Sequence, residues 1–273
     1  MPCHLSLPEP TRAFLDDLPL EHQAGRFLHR QADGTVVADW YGCELSSVFQ
    51  PIVDPTLGTP IGHEAFLRCL GDGDLDLSPW NLFSAPANDQ RLIELDRLTR
   101  TLHTLNHLVA GVFDGLLFLN VHGRLLAAVS HDHGATFRRV ADALGVPPER
   151  IVIETPLAAS HQPDLLAFVL RNYRHHGFQV AVNVESPAQW QNLSPGVPAQ
   201  FIKIDAQHIA TLYPAAKRLE WLAALSVDAP VIVTRLEHPW PGPLPGGVLV
   251  QGYAYGRPKP PVPAIDSCVA GTP

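Results

Sequence analysis

The amino-acid sequence predicts an α/β fold, a closed barrel in one main domain, and three observations carry that expectation. Short apolar runs alternate with longer amphipathic stretches along most of the chain. The runs are rich in Val, Ile, Leu and Phe and show little polar alternation, as expected for strands buried on both faces. Eight of them occur with helical patterns between, which points to a (β/α)8-type barrel.

Residues 1–40 precede the first strand, and their Leu15, Leu18, Leu20, Phe27 and Leu28 suit a short helical or hairpin extension. A cap on the bottom of the barrel is the simplest role for it; a lid or a dimer contact are the alternatives. The strands are expected at Val48–Val53, Gly62–Cys69, Leu116–Val121, Arg150–Thr155, Phe178–Val184, Phe201–Asp205, Pro230–Leu236 and Leu249–Gly256. Helical periodicity covers Asn88–Val109, Ala135–Leu144, Gln162–His176 and Ala206–Leu225. Between the seventh and eighth strands the segment from His238 to Gly247 is dense in proline and glycine, so a loop is expected where a barrel helix would lie. The domain reading is an extension over 1–40, a barrel over 41–264 and a tail over 265–273.

Composition sets outer limits. A chain of 273 residues with 46% hydrophobic and 17% charged residues can bury a large core and has the profile of a globular protein. A net charge of −8 counts against a nucleic-acid duplex as main partner, since phosphate backbones are bound through Lys and Arg. A small anionic ligand remains compatible, because a pocket can differ in sign from the whole. No apolar run reaches the roughly 18 residues that a membrane span needs, and no secretory signal opens the sequence. Cys3, Cys43, Cys69 and Cys268 are scattered without a C-x-x-C pair, which favours free thiols and a cytoplasmic location. His131-Asp132-His133 is the tightest histidine cluster and reads as the loop before a helix rather than as a metal site.

In a barrel the functional face gathers at the C-terminal ends of the strands. Those ends carry Gln50, Glu64, Arg68, Asn120, Glu154, Asn183, Lys203, Asp205, Glu237, Gln251 and Tyr253. A purely structural strand has no need of the lysine in Phe201-Ile202-Lys203-Ile204-Asp205.

Phe49-Gln50-Pro51-Ile52-Val53 followed by Glu64-Ala65-Phe66-Leu67-Arg68 resembles the opening F-Q-P-I-V and signature E-A-L-L-R of EAL domains. The resemblance continues through Leu117–Val121, Pro147–Glu154, Phe201–Asp205 and Val250–Pro258, in the family's order, and spans residues 44 to 262. It implies a TIM-barrel-like (β/α)8 fold with one antiparallel strand, built to bind and hydrolyse cyclic di-GMP with two Mg2+ or Mn2+ ions. By resemblance, Glu64, Asn120, Glu154 and Asn183 stand at metal positions and Lys203 beside the nucleophilic water. Gln50, Glu64, Phe66, Arg68, Asn120, Asp205, Glu237, Gln251, Gly252, Tyr253 and Pro258 stand at ligand-contacting positions.

The metal set is degenerate. Asn183-Val184 replaces the family's paired aspartates, Thr234 replaces the glutamate of its seventh-strand A-E-G-V-E motif, and Leu157 stands where a second glutamate helps the first site. Hard divalent ions require several oxygen ligands, and of the expected carboxylates only Glu64 and Glu154 remain, with Arg235 nearby adding positive charge. The expectation is a catalytically impaired EAL protein with a vestigial, weak Mg2+ or Mn2+ site and no required cofactor. It acts as a cyclic di-GMP receptor, as an adaptor for a protein partner, or as both. A slow metal-dependent phosphodiesterase and a nucleotide-independent protein-interaction regulator are the alternatives, and the resemblance also allows a homodimer through helices near the fifth and sixth strands.

Overall fold

The structure is a computed structural model that describes residues 7–20, 27–70, 76–77, 79–84, 88–111, 115–128 and 133–263. Cys3, Cys268, His131, Asp132 and the tail 265–273 lie outside the described residues.

Strand β1 (Leu28–Arg30) pairs with β2 (Val36–Trp40), and β2 pairs with β3 (Cys43–Asp54), all antiparallel. A tight turn then returns the chain into β4 (Thr59–Leu70), again antiparallel to β3. That turn is fixed locally: the Asp54 carboxylate accepts from the N–H groups of Thr56 and Leu57, and Gly58 takes φ 67°. A two-residue strand β5 (Asp76–Leu77) pairs with the end of β4. From β4 onward the barrel is parallel, through β6 (Leu116–Asn120), β7 (Ile151–Thr155), β8 (Gln179–Val184), β9 (Phe201–Asp205), β10 (Val231–Thr234) and β11 (Val248–Val250). Antiparallel pairing of Val250 with Val53 closes the ring, so within the ring β3 is the strand that runs against its neighbours on both sides. The expected (β/α)8-type barrel with a reversed strand is the observed fold.

Helices α1 (Glu9–Asp16), α2 (Pro79–Ser84), α3 (Asp89–Val109), α4 (Gly123–Ala128), α5 (His133–Ala143), α6 (Pro163–His175), α7 (Pro187–Leu193), α8 (Ala206–Leu212) and α9 (Ala215–Leu225), with short 3-10 helices at Pro148–Arg150 and Leu157–His161, complete the described elements. None is long and apolar enough to cross a membrane. Helix α3 begins where Asn88 accepts from the Arg91 N–H, a side-chain cap at the start of the predicted periodicity. Helix α1 packs against the C-terminal end of α5, with Thr11 Oγ1 donating to the Leu144 carbonyl and Leu15 buried.

Two expectations need correction. The helix anticipated over Ala206–Leu225 is two helices, because Pro214 lacks a donor and holds Tyr213 extended at φ −133° and ψ 136°. The last strand stops at Val250, since Gly252 turns the chain onto the Leu236 backbone, against which any Cβ would clash. The segment 238–247 contains no helix, as anticipated, and folds back on the barrel: the Trp240 N–H donates to Tyr255 Oη at 2.9 Å and Trp240 is partly buried against the core.

The barrel interior explains where the site arises. Ile52, Phe118, Val152, Ala181, Phe201, Ile232 and Leu249 form a separate apolar cluster inside the ring. Strand side chains alternate faces with period two, so the next inward layer is two residues further along each parallel strand: Asn120, Glu154, Asn183, Lys203, Thr234 and Gln251. On β3 the count runs backward, from Ile52 to Gln50. Gly62 supplies the close approach of β4 to Leu116, where a Cβ would collide with the Leu116 carbonyl, and Glu64 follows two residues on.

Candidate functional site

That polar layer floors a cleft of about 590 Å³ walled by Phe66, Arg68, Arg235, Glu237, Tyr253 and Pro258. Gln50, Glu64, Glu154, Lys203 and Gln251 are each less than a tenth exposed, whereas Tyr253 is half exposed at the mouth. Arg257 lies over the Tyr253 ring at 4.2 Å from its centroid, which steadies that side of the entrance.

At the centre, Lys203 Nζ donates to Glu64 Oε2 at 2.7 Å and to Glu154 Oε2 at 2.5 Å. The other carboxylate oxygens are also occupied. Asn120 Nδ2 donates to Glu64 Oε1 at 2.8 Å, Asn183 Nδ2 to Glu154 Oε1 at 2.8 Å, and Gln251 Nε2 to Glu64 Oε2 at 2.8 Å. Asn183 Nδ2 also reaches the Thr155 carbonyl, and Gln50 Nε2 donates to the Gly256 carbonyl at 2.9 Å.

Burial opposes the charge on Lys203, but attraction from Glu154 and Glu64 outweighs it and raises the lysine above its ordinary value. Burial would also raise Glu64, yet Lys203 and the donors Asn120 and Gln251 hold its pKa low. Glu154 goes the other way: burial and the neighbouring Glu64 charge raise it more than Lys203 and Asn183 lower it. The cluster is therefore an ammonium flanked by one firmly ionised carboxylate and one that protonates more readily.

This donor set does not fit a pair of divalent ions. Of the inward-facing layer only Glu64 and Glu154 are carboxylates, and the neutral oxygens of Asn120, Asn183 and Thr234 do not balance the charge of two hard cations. Val184 faces away from the cleft and is buried in the outer core, while Thr234 Oγ1 donates to the Ile204 carbonyl. Among the described residues no group of three or more His, Cys, Asp or Glu is arranged to hold a metal ion.

Of the sequence-derived positions, Gln50, Glu64, Phe66, Arg68, Glu154, Asn183, Lys203, Glu237, Gln251, Gly252, Tyr253 and Pro258 all line the cleft. Asn120 reaches it through Glu64, and Asp205 sits at its edge, where Oδ2 pairs with Arg235 Nη1 at 3.1 Å. Sequence reasoning did not place Gln207 and Arg235 among the contacting residues, although both line the cleft. The available signal for Arg235 was an arginine where A-E-G-V-E has glycine; for Gln207 it was a polar residue two places after the strand-end aspartate.

Comparison with known proteins agrees with this geometry. The EAL domain family model matches residues 40–239. BlrP1 of Klebsiella pneumoniae, solved with manganese and cyclic di-GMP, is 18% identical with a TM-score of 0.63, over 92% of this chain and 62% of its own. The YkuI protein of Bacillus subtilis, solved with its substrate cyclic di-GMP and calcium, is 22% identical with a TM-score of 0.60, over 79% of this chain and 56% of its own. The FimX EAL domain of Pseudomonas aeruginosa, bound to cyclic di-GMP, is 20% identical with a TM-score of 0.61, over 78% of this chain and 90% of its own. The chain thus spans less than two thirds of the length of BlrP1 and YkuI. No curated protein matches it. At these identities the structures speak for the fold alone, and the family model, matched over most of the chain and over every strand of the barrel but the last, shows that this chain belongs to the EAL domain family.

Proposed function

We propose that this chain is a cyclic di-GMP receptor that binds its ligand without metal and lacks efficient phosphodiesterase activity. The observation that carries the proposal is the cleft's inward-facing layer, where Asn183 and Thr234 stand at positions the resemblance gives to carboxylates and Val184 is turned into the outer core, so that Glu64 and Glu154 are the carboxylates left to meet two cations. A lost metal pair removes both polarisation of the phosphate and activation of water, and each ~1.4 kcal/mol of transition-state stabilisation lost is tenfold in rate. The cleft nevertheless keeps Gln50, Arg68, Glu237 and Tyr253, which offer donors, an acceptor and an aromatic face to a guanine dinucleotide. BlrP1, YkuI and FimX bind cyclic di-GMP, and this supports the choice of ligand. The proposal includes a cytoplasmic location and a protein partner that receives the signal.

Calorimetric titration with cyclic di-GMP, in EDTA and again in Mn2+, with the product analysed afterwards, tests this reading. Equal binding in both buffers without hydrolysis is the expected result. Turnover that requires Mn2+ would make the chain a slow phosphodiesterase, and no heat in either buffer would leave a nucleotide-independent regulator.

A further inference from the structure

Arg235 occupies a backbone geometry that ordinarily excludes it. Its φ is 58°, and among the described residues only Tyr41 shares a positive φ without being glycine. A side chain in this left-handed region is uncommon, and such conformations concentrate at functional sites where the surroundings enforce them. The EAL resemblance places a glycine at this position, so the chain carries a guanidinium where the backbone itself suits glycine.

The guanidinium is held and yet available. Arg235 is 75% exposed in its side chain, lines the cleft, and pairs through Nη1 with Asp205 Oδ2 at 3.1 Å. Asp205 is only 14% exposed and is fixed from its other side, because Oδ1 accepts from the Gln207 N–H at 2.7 Å where α8 begins. A carboxylate anchored in this way orients the arginine while leaving most of its five N–H donors unused.

Charge gives the orientation a purpose. Lys203 is consumed by Glu64 and Glu154, so the inner cluster offers no net positive charge to an entering phosphodiester. Thr234 is neutral where the resemblance has a metal-liganding glutamate. Among the cleft-lining residues the remaining cations are Arg68 and Arg235, and Arg68 Nη1 is turned to the Leu67 carbonyl at 3.2 Å. A guanidinium fork matches two phosphate oxygens, which an ammonium or a neutral amide cannot do.

We infer that Arg235 is a phosphate-binding residue of this cleft, pairing with a phosphodiester of the bound cyclic dinucleotide in place of metal charge, with Asp205 holding it ready in the free protein. This rests on the reading of the chain as a cyclic di-GMP receptor. It implies that the substitution of glycine by arginine accompanies loss of the metal set as a compensating change in how the ligand's charge is met.

The test uses the full chain and cyclic di-GMP in EDTA, from low salt to about 0.3 M, where the Debye length shortens severalfold. Wild type should bind, more weakly as salt rises. Arg235→Gln and Arg235→Gly should each bind about tenfold or more weakly, the scale of a lost charge-assisted hydrogen bond, and with a flatter salt dependence. Arg235→Lys should retain part of the affinity. Arg235→Gly should melt no lower than wild type, because glycine accepts the positive φ, so its weakened binding cannot be ascribed to unfolding. Wild-type affinity and salt dependence in both the Gln and Gly variants would overturn the role of Arg235 while leaving the receptor reading standing. Absence of binding by wild type would overturn the receptor reading and this inference together.

Discussion

Lys203 and Glu154 meet at 2.5 Å inside the barrel, and the same ammonium binds Glu64 at 2.7 Å, so one cation holds two buried carboxylates. Breaking a buried pair by removing one partner costs about 3–5 kcal/mol, because an uncompensated charge is left in place. Lys203→Met should therefore lose stability of that order in urea unfolding. Glu154→Gln should lose less, because Lys203 keeps its bond to Glu64 and no buried charge is left without a partner. Equal losses from the two substitutions would contradict the proposed division of charge.

A metal site should be recoverable by supplying inward-facing carboxylates. Asn183 and Thr234 both line the cleft, so Asn183→Asp with Thr234→Glu adds oxygen ligands to the layer that holds Glu64 and Glu154. The double variant should bind Mn2+ in calorimetry at least about tenfold more tightly than wild type, consistent with the dependence of hard cations on carboxylate number. Val184→Asp should not help. Its side chain is 1% exposed in the outer core, where an unpaired carboxylate would destabilise the fold instead.

These two cases mark what was legible before the structure. Glu64, Glu154 and Lys203 stood out because apolar strands gave a charge no structural reason to be there, and the family's motif order supplied their neighbours. The barrel was readable for the same reason: buried runs such as Ile151–Thr155 have few alternatives. What could not be read was geometry set by contacts distant in sequence. Asn183 and Val184 are neighbours in the chain but face opposite sides of β8, so the loss of the paired aspartates has two different structural meanings. Pro214 announces a break, yet a continuous apolar pattern on both sides concealed it. Arg235 became a candidate ligand contact only when its φ and its pairing with Asp205 were known.

Acid should weaken the fold before the carboxylates titrate. His103 and His107 are buried on α3, and burial lowers each to about 3, with the nearby His63 adding to the effect at His107. Between that value and the ordinary 6.5 the unfolded chain binds protons that the folded chain refuses. The stabilisation is thus complete above 6.5 and declines as pH falls below it, by up to about 1.4 kcal/mol per pH unit for each histidine. Glu154, raised in the fold above the ordinary 4.5, acts oppositely from that value upward and offsets part of the slope. Urea unfolding between pH 7 and about 5 should show the slope, and His107→Leu should reduce it, with His103 and the similarly lowered His63 supplying much of what remains. A wild-type slope of zero would mean that these histidines are hydrated.

The attachment of the N-terminal hairpin should depend on one amide. Asn106, 1% exposed on α3, accepts from the Val36 N–H at 2.9 Å and donates to the Val36 carbonyl at 2.8 Å, and its Nδ2 also reaches Ser47 Oγ at 3.2 Å. It thereby satisfies both backbone groups of the residue that opens β2, whose Val36, Val37, Ala38 and Trp40 are buried. Asn106→Leu keeps similar volume but leaves a buried donor and acceptor unpaired, at about 1–3 kcal/mol for each group. The variant should unfold at lower urea concentration, and hydrogen exchange at Val36 should accelerate ahead of that at the barrel strands, because the loss is local to the hairpin. If Val36 stayed as protected as Val152 in that variant, the hairpin would be held by apolar packing and not by this amide.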